Sequence, residues 1–181
     1  MKKWLLLSLG VWALSFQVFA DEYQASIREF KKSPRTTAFF NNAYAYAVFP
    51  NIGKGGLGIG GAYGEGKVYR HGKATGKADM AQLTIGWQLG GQVFRQIIFL
   101  QDKRAYDEFT GGSFEFSAQA SAVALTVGAS AQAGTSGTGA AAGSKQAKAH
   151  YINGYAVFTL AKGGLMYEAS IGGQKFSYHP Y

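Results

Sequence analysis

A four-residue block, Tyr46-Ala47-Val48-Phe49, returns as Tyr155-Ala156-Val157-Phe158. Behind it Lys54-Gly55-Gly56-Leu57 returns as Lys162-Gly163-Gly164-Leu165, with one residue gained between the blocks of the first copy. Gly64 and Lys67 stand at the same offset from the first lysine-glycine block as Gly172 and Lys175 do from the second. An echo carried over several positions points to a repeated structural unit. The repeat predicts two similar hairpins, each turning at a lysine-bearing glycine loop, in one fold.

The hydrophobic period sets the elements around that repeat. Tyr23, Ile27 and Phe30 recur at helical spacing and predict a helix over Glu22–Lys32. Ser33-Pro34 ends it and caps a second, short helix over Pro34–Asn42. From Tyr44 the period becomes two. Strands are expected at Tyr44–Phe49, Leu57–Tyr63 and Lys67–Arg70. Leu83, Ile85, Trp87 and Leu89 alternate with Gln82, Thr84, Gly86 and Gln88, a half-buried strand whose polar side is wet. Gly90-Gly91 signals a hairpin before a strand over Val93–Gln101. Asp102 caps a helix through Phe109 that Gly111-Gly112 closes. Ser113–Val127 is a small-residue strand with Ala118, Ala120, Ala122 and Ala124 on one face, and Gly134–Ser144 reads as a flexible loop. Tyr151–Leu160 and Leu165–Tyr178 complete the strands. The expected fold is α+β: a strongly curved, mostly antiparallel, barrel-like sheet with one or two N-terminal helices and a short mid-chain helix.

The length of 181 residues fits one domain, expected over residues 21–181. Residues 1–20 read as a secretory signal: Lys2 and Lys3, an apolar stretch Trp4–Leu14, and small residues at Val18 and Ala20. The expected location is the periplasm or the surface of an envelope membrane.

Chemistry is sparse. The absence of cysteine excludes disulfides, thiolate metal sites and a thiol nucleophile. Gly56, Gly58 and Gly61 match G-x-G-x-x-G, but turn and strand residues follow where a dinucleotide site needs a helix. His71, His150 and His179 are scattered without metal-ligand spacing. Neither an enzyme activity, a cofactor nor a metal is expected. Basic residues outnumber acidic ones 18 to 10, which favours an anionic partner. One basic segment is Arg28, Lys31, Lys32 and Arg35, on or after the first helix. Another is Lys67, Arg70, Lys73 and Lys77, which encloses His71 and no acid. A secreted protein meets phospholipid more readily than nucleic acid. Each cation near an anionic surface contributes about 1 kcal/mol, so stable attachment also needs apolar insertion. The Tyr23, Ile27 and Phe30 face is the candidate membrane contact, with core packing as the competing use of the same face.

The stretch Ala45–Tyr69, AYAVFPNIGKGGLGIGGAYGEGKVY, resembles the SYLF domain. Its Phe-Pro-x-x-x-Lys-Gly-Gly block and following Gly-x-Gly-Gly-x-Tyr-Gly carry the resemblance. The segment YINGYAVFTLAKGGLMYEASIGG extends it to the C-terminal region. The resemblance implies an α+β, lipid-binding module, also labelled an actin-binding domain in yeast actin-patch proteins. Lys54 lies within the family motif; Lys162 is its repeat mate here. Actin is not an expected partner in the periplasm. The expected function is therefore non-enzymatic binding of anionic phospholipid. Lys54, Lys67, Arg70, Lys73 and Lys162 are expected to converge on one patch, aided by the N-terminal helix. A small outer-membrane β-barrel, or an envelope enzyme acting on lipid or glycan, is the alternative.

Overall fold

The computed structural model describes residues 22–86, 92–117, 124–126, 150–162 and 171–181. The signal segment, the Gly90-Gly91 turn, the Ala118–Ala122 stretch and the Gly134–Ser144 loop lie outside the described residues. Helix α1 spans 22–31 and α2 spans Pro34–Asn42. The Ser33 side chain accepts from the Arg35 backbone N–H at 3.3 Å, and Pro34 occupies the first turn, where a missing N–H costs nothing. The Thr36 hydroxyl donates back to the Phe30 carbonyl and pins the two helices together.

The strands are β1 (Ala45–Arg70), β2 (Lys73–Gly86), β3 (Gln92–Leu100), β4 (Ser113–Glu115), β5 (Ala124–Thr126), β6 (Tyr155–Ala161) and β7 (Gln174–Pro180). Helix α3 (Lys103–Thr110) lies between β3 and β4. Its Asp102 cap accepts from the Ala105 N–H at 2.9 Å. The sheet order is β4-β7-β2-β1-β3-β6-β5, antiparallel except for β5 beside β6. It is the strongly curved half-barrel of an α+β fold.

Strand β1 makes the curvature. A straight strand of its 26 residues would extend about 85 Å. Instead its first part pairs with β3, its last part with β2, and a bulge falls between Phe49 and Ile52, at Pro50. A Cβ on Gly64 would lie 2.7 Å from Ile52 Cγ1, and one on Gly66 would lie 2.5 Å from the Phe49 ring. The two halves of one strand thus face each other across the core, at a distance that only glycine allows. The three short strands expected over Tyr44–Arg70 are one bent strand. The first lysine-glycine block runs within it, so the hairpin expected there is corrected to a bend.

The repeat has a structural counterpart all the same. Its two Tyr-Ala-Val-Phe blocks flank β3, where Val48, Ile97 and Phe158 lie in one row. Further along, β1 and β7 flank β2, and Gly64, Met80 and Phe176 lie in one row. The blocks sit one residue out of step, so the same letters face opposite ways. Phe49 packs inside the curve with Val157, while Phe158 packs outside with Val48.

Two cores result. The inner one joins Phe49, Ile52, Met80, Phe94 and Phe176 with Ala105 and Phe109 of α3, which plugs one end of the curve. The outer one joins Val48, Ile97, Phe99 and Phe158 with Ile27 and Phe30 of α1 and Phe39 of α2. Helices therefore cover part of the outer surface of β1, β3 and β6, the side that a lipid-facing barrel turns to the bilayer.

A polar layer crosses the inner core. Gln96 on β3 and Gln174 on β7 exchange amide hydrogen bonds of 2.8 and 3.1 Å, although β1 and β2 separate their strands in the sheet. Gln82, beside Gln174 in register, donates to the Gly172 carbonyl at 2.9 Å. Thr159, beside Gln96, is likewise buried. Gln82 was expected on the wet side of its strand. It faces inward, and Leu83 next to it is 83% exposed, so at this pair the inside and outside of the strand are the reverse of the sequence reading.

Candidate functional site

The basic residues fall into separate groups set by the topology. At the glycine-rich end of the sheet, Lys54 is the Cα partner of Gln92, and the Lys162 N–H donates to the Val93 carbonyl at 2.9 Å. The repeat lysines therefore stand on either side of the start of β3, with backbones about 10 Å apart. The Lys162 ammonium donates to the Asn51 side chain, whose amide donates to Glu22 on α1 at 3.0 Å. Val93, on the same face as Lys162, is 44% exposed, while Lys54 lies opposite Gln92 on the other face.

A second group lies at the other end, around the β1–β2 turn. His71 and Gly72 both have positive φ, as a tight two-residue hairpin turn requires. This turn brings Arg70 opposite Lys73 and, further in, Lys67 opposite Lys77. Like charges directly opposite oppose pairing. Lys67 is relieved by the Tyr23 ring, 4.5 Å from its ammonium, and by Glu65 and Asp79 in the adjoining row. Arg70 lies 4.8 Å from the Tyr44 ring centroid and 5.9 Å from that of Tyr106. Lys103 and Arg104 on α3, nearby, are already engaged by Asp107 and Glu108 at 2.5 and 2.8 Å.

The third group is on the helices. Lys32 pairs with Glu29 at 2.7 Å, and that hydrogen bond holds the Glu29 carboxyl below its ordinary range. Lys31 lies over the Phe40 ring at 5.3 Å, while Arg28 and Arg35 are exposed. Lys54, Lys67, Arg70, Lys73 and Lys162 thus do not share one patch. Lys73 and the end of β2 are separated by roughly 40 Å of strand contour. The expectation of convergence is corrected to one pair at each end of the sheet, with Lys67 between.

The N-terminal helix is corrected too. Ile27 is buried and Phe30 is 0% exposed, both against the sheet, so their apolar surface is already covered. Tyr23 is half-buried, and burial pushes its hydroxyl pKa up to about 12. Among the described residues the exposed large apolar groups are elsewhere: Tyr63 at 55%, Leu83, Val93 and Tyr181. Sequence reasoning missed them because alternation gives the period of a strand without saying which side is wet. It also gave no role to Lys175, which lies beside Ala81 in the row that ends at Tyr63.

Among the described residues no cluster of His, Asp and Glu could hold a metal ion. His179 lies 3.4 Å from Asp79 on the exposed sheet face, and His71 occupies the turn. Glu108 accepts from Tyr155 at 2.9 Å as well as from Arg104, and both hold its carboxyl below the ordinary range. These contacts lock α3 to β6.

Comparison with known proteins adds the following. The family described as "Las17-binding protein actin regulator" (Ysc84) matches residues 81–179. Beta cell expansion factor A of Aeromonas veronii is 28% identical over 155 residues, 84% of this chain and 52% of that protein. The chain therefore spans about half the length of that curated relative.

Proposed function

The chain belongs to the Ysc84 (SYLF) family, and from that premise we propose that it binds anionic phospholipid at a bacterial envelope membrane without chemical turnover. The observation that carries this reading is the pair Lys54 and Lys162. Two lysines about a hundred residues apart in sequence, matched by the repeat, stand on either side of the start of β3, Lys54 towards the inner face of the sheet and Lys162 with the exposed Val93 towards the outer face. An end-on approach of the sheet brings both ammonium groups to the headgroup layer, with Val93 as the nonpolar contact on the Lys162 side. Lys67, Arg70 and Lys73, with Arg28, Lys31, Lys32 and Arg35, add longer-range attraction that salt screens. The actin role in the family's description does not fit a secreted chain, and the proposed location is the periplasm or its membrane surface. The partner is a lipid surface rather than nucleic acid.

Vesicle co-sedimentation tests the proposal. Recovery with phosphatidylglycerol vesicles should exceed that with phosphatidylcholine at low salt and decline as salt rises. The double substitution K54Q/K162Q should remove about 2 kcal/mol, roughly thirtyfold in affinity. Equal recovery with neutral and anionic vesicles would overturn the reading.

A further inference from the structure

We propose that the β1–β2 turn carries a separate anion site, built on Arg70 and Lys73, that takes a phosphomonoester. It lies at the end of the sheet away from Lys54 and Lys162, and it does not depend on the lysine pair proposed above.

The first support is the placement of Arg70. Its guanidinium lies over the Tyr44 ring at 4.8 Å from the centroid and 5.9 Å from that of Tyr106 on α3. Both rings are half-buried, packed on the inner core and edge-on to each other at 5.7 Å. Among the described residues no other cation is held by two rings. A ligand that binds an exposed arginine must offset the rotamer freedom it removes. Here the rings have already restricted the side chain. Rings attract a guanidinium through its face, which leaves the N–H edge for a ligand. That planar fork matches two oxygens of one phosphate.

The second support is unrelieved charge. Arg70 and Lys73 are Cα partners on the last rung of the hairpin, so their side chains leave the same face. Only His71 and Gly72 join them, both at positive φ, and so short a turn holds the two cations together. Elsewhere Lys32, Lys103, Arg104 and Lys175 are each paired with a carboxylate. Among the described residues no carboxylate lies within ion-pair distance of Arg70 or Lys73. Lys103 adds positive charge at the same end. Its hydrogen bond to Asp107 holds the ammonium above its ordinary pKa, and the nearby Arg70 charge opposes that rise. The His71 ring, 6.0 Å from that of Tyr44, completes the rim. An anion between Arg70 and Lys73 turns one repulsion into two attractions. A phosphomonoester, close to doubly charged at neutral pH, matches the two cations better than a diester does.

Isothermal titration calorimetry with glycerol 3-phosphate at fixed ionic strength tests the site. The full chain should bind it saturably, with roughly millimolar affinity. R70Q should weaken binding about tenfold, and K73Q by less, because only Arg70 offers a fork. R70K keeps the charge without the fork and should restore only part of the loss. K77Q removes one charge from the outer face of the same hairpin and should stay within about twofold of the wild type. K54Q/K162Q should bind glycerol 3-phosphate as the wild type does. Far-UV circular dichroism checks that each variant is folded, and K73Q carries the test if R70Q is not.

Vesicles containing phosphatidic acid identify the source of the phosphate. A larger loss of recovery for R70Q than for K77Q makes the ligand a lipid headgroup. Equal losses there, with the difference kept for glycerol 3-phosphate, make it a free phosphate ester. R70Q and K77Q behaving alike in both assays would overturn the proposal. Failure of the lysine-pair reading shows differently, as equal recovery with phosphatidylcholine and phosphatidylglycerol vesicles whatever glycerol 3-phosphate does.

Discussion

Gln96 and Gln174 show how much of this fold depends on single side chains. Each is buried, and each satisfies the other's donor and acceptor from strands that are not neighbours. Removing one amide strands its partner without water. Q96L or Q174L alone should therefore cost about 1–3 kcal/mol, while the double substitution should recover much of that loss. Urea unfolding of the two single variants and the double measures the coupling, and additive losses would refute it. Gly66 is the second such position. A methyl group there would press on the Phe49 ring, which is fully buried and cannot retreat. G66A should cost roughly 1–3 kcal/mol by overpacking, read as a lower urea midpoint with an unchanged slope.

Among the elements, α1 is the one whose use was decided only by packing. Its stripe of Tyr23, Ile27 and Phe30 was legible, and so was the Ser33-Pro34 boundary, because period and capping are local properties. The same holds for the Asp102 cap of α3 and for the limits of β3. What the stripe touches is not local. With Phe30 in the outer core beside Phe99 and Phe158, F30A should lower stability by about 3–5 kcal/mol. Vesicle recovery measured well below its melting temperature should match the wild type. Selective loss of lipid binding without loss of stability would return α1 to the membrane. The continuity of β1 was hidden for a related reason. Glycine in a sequence marks a turn, a bulge or a close approach alike, and only Phe49 and Ile52 lying against Gly66 and Gly64 decide for the last. The lysine pair of the candidate site was visible through the repeat. Leu83 was read onto the wrong face because a one-residue inversion leaves the alternation unchanged.

At the scale of the molecule, the helices, the sheet and the outer core are tied together by tyrosines whose hydroxyls are shielded from water. Burial pushes Tyr23, Tyr69 and Tyr151 up to about 12, and the neighbouring Glu65 adds to the effect at Tyr23. Tyr69 stacks on Tyr46 at 5.3 Å, Tyr23 lies against Lys67, and Tyr151 packs edge-on to Phe39 at 5.0 Å. These contacts join α1 and α2 to the sheet's convex side. A tyrosine in the unfolded chain ionises near pH 10, so the folded state holds these protons more tightly than the unfolded state. Their contribution is fully present below about pH 10 and is lost as pH rises from there through about 12. Thermal unfolding followed from neutral to alkaline pH should therefore show a steady midpoint up to roughly pH 10 and a steep fall above it. Tyrosinate absorbance should rise in two steps, exposed rings first and the helix-docking rings together with loss of structure. A single step near pH 10 with the fold intact would mean that α1 and α2 do not shield these hydroxyls. The apolar stripe of α1 would then be open to lipid, and the division of labour between a buried helix and an exposed sheet end would fail with it.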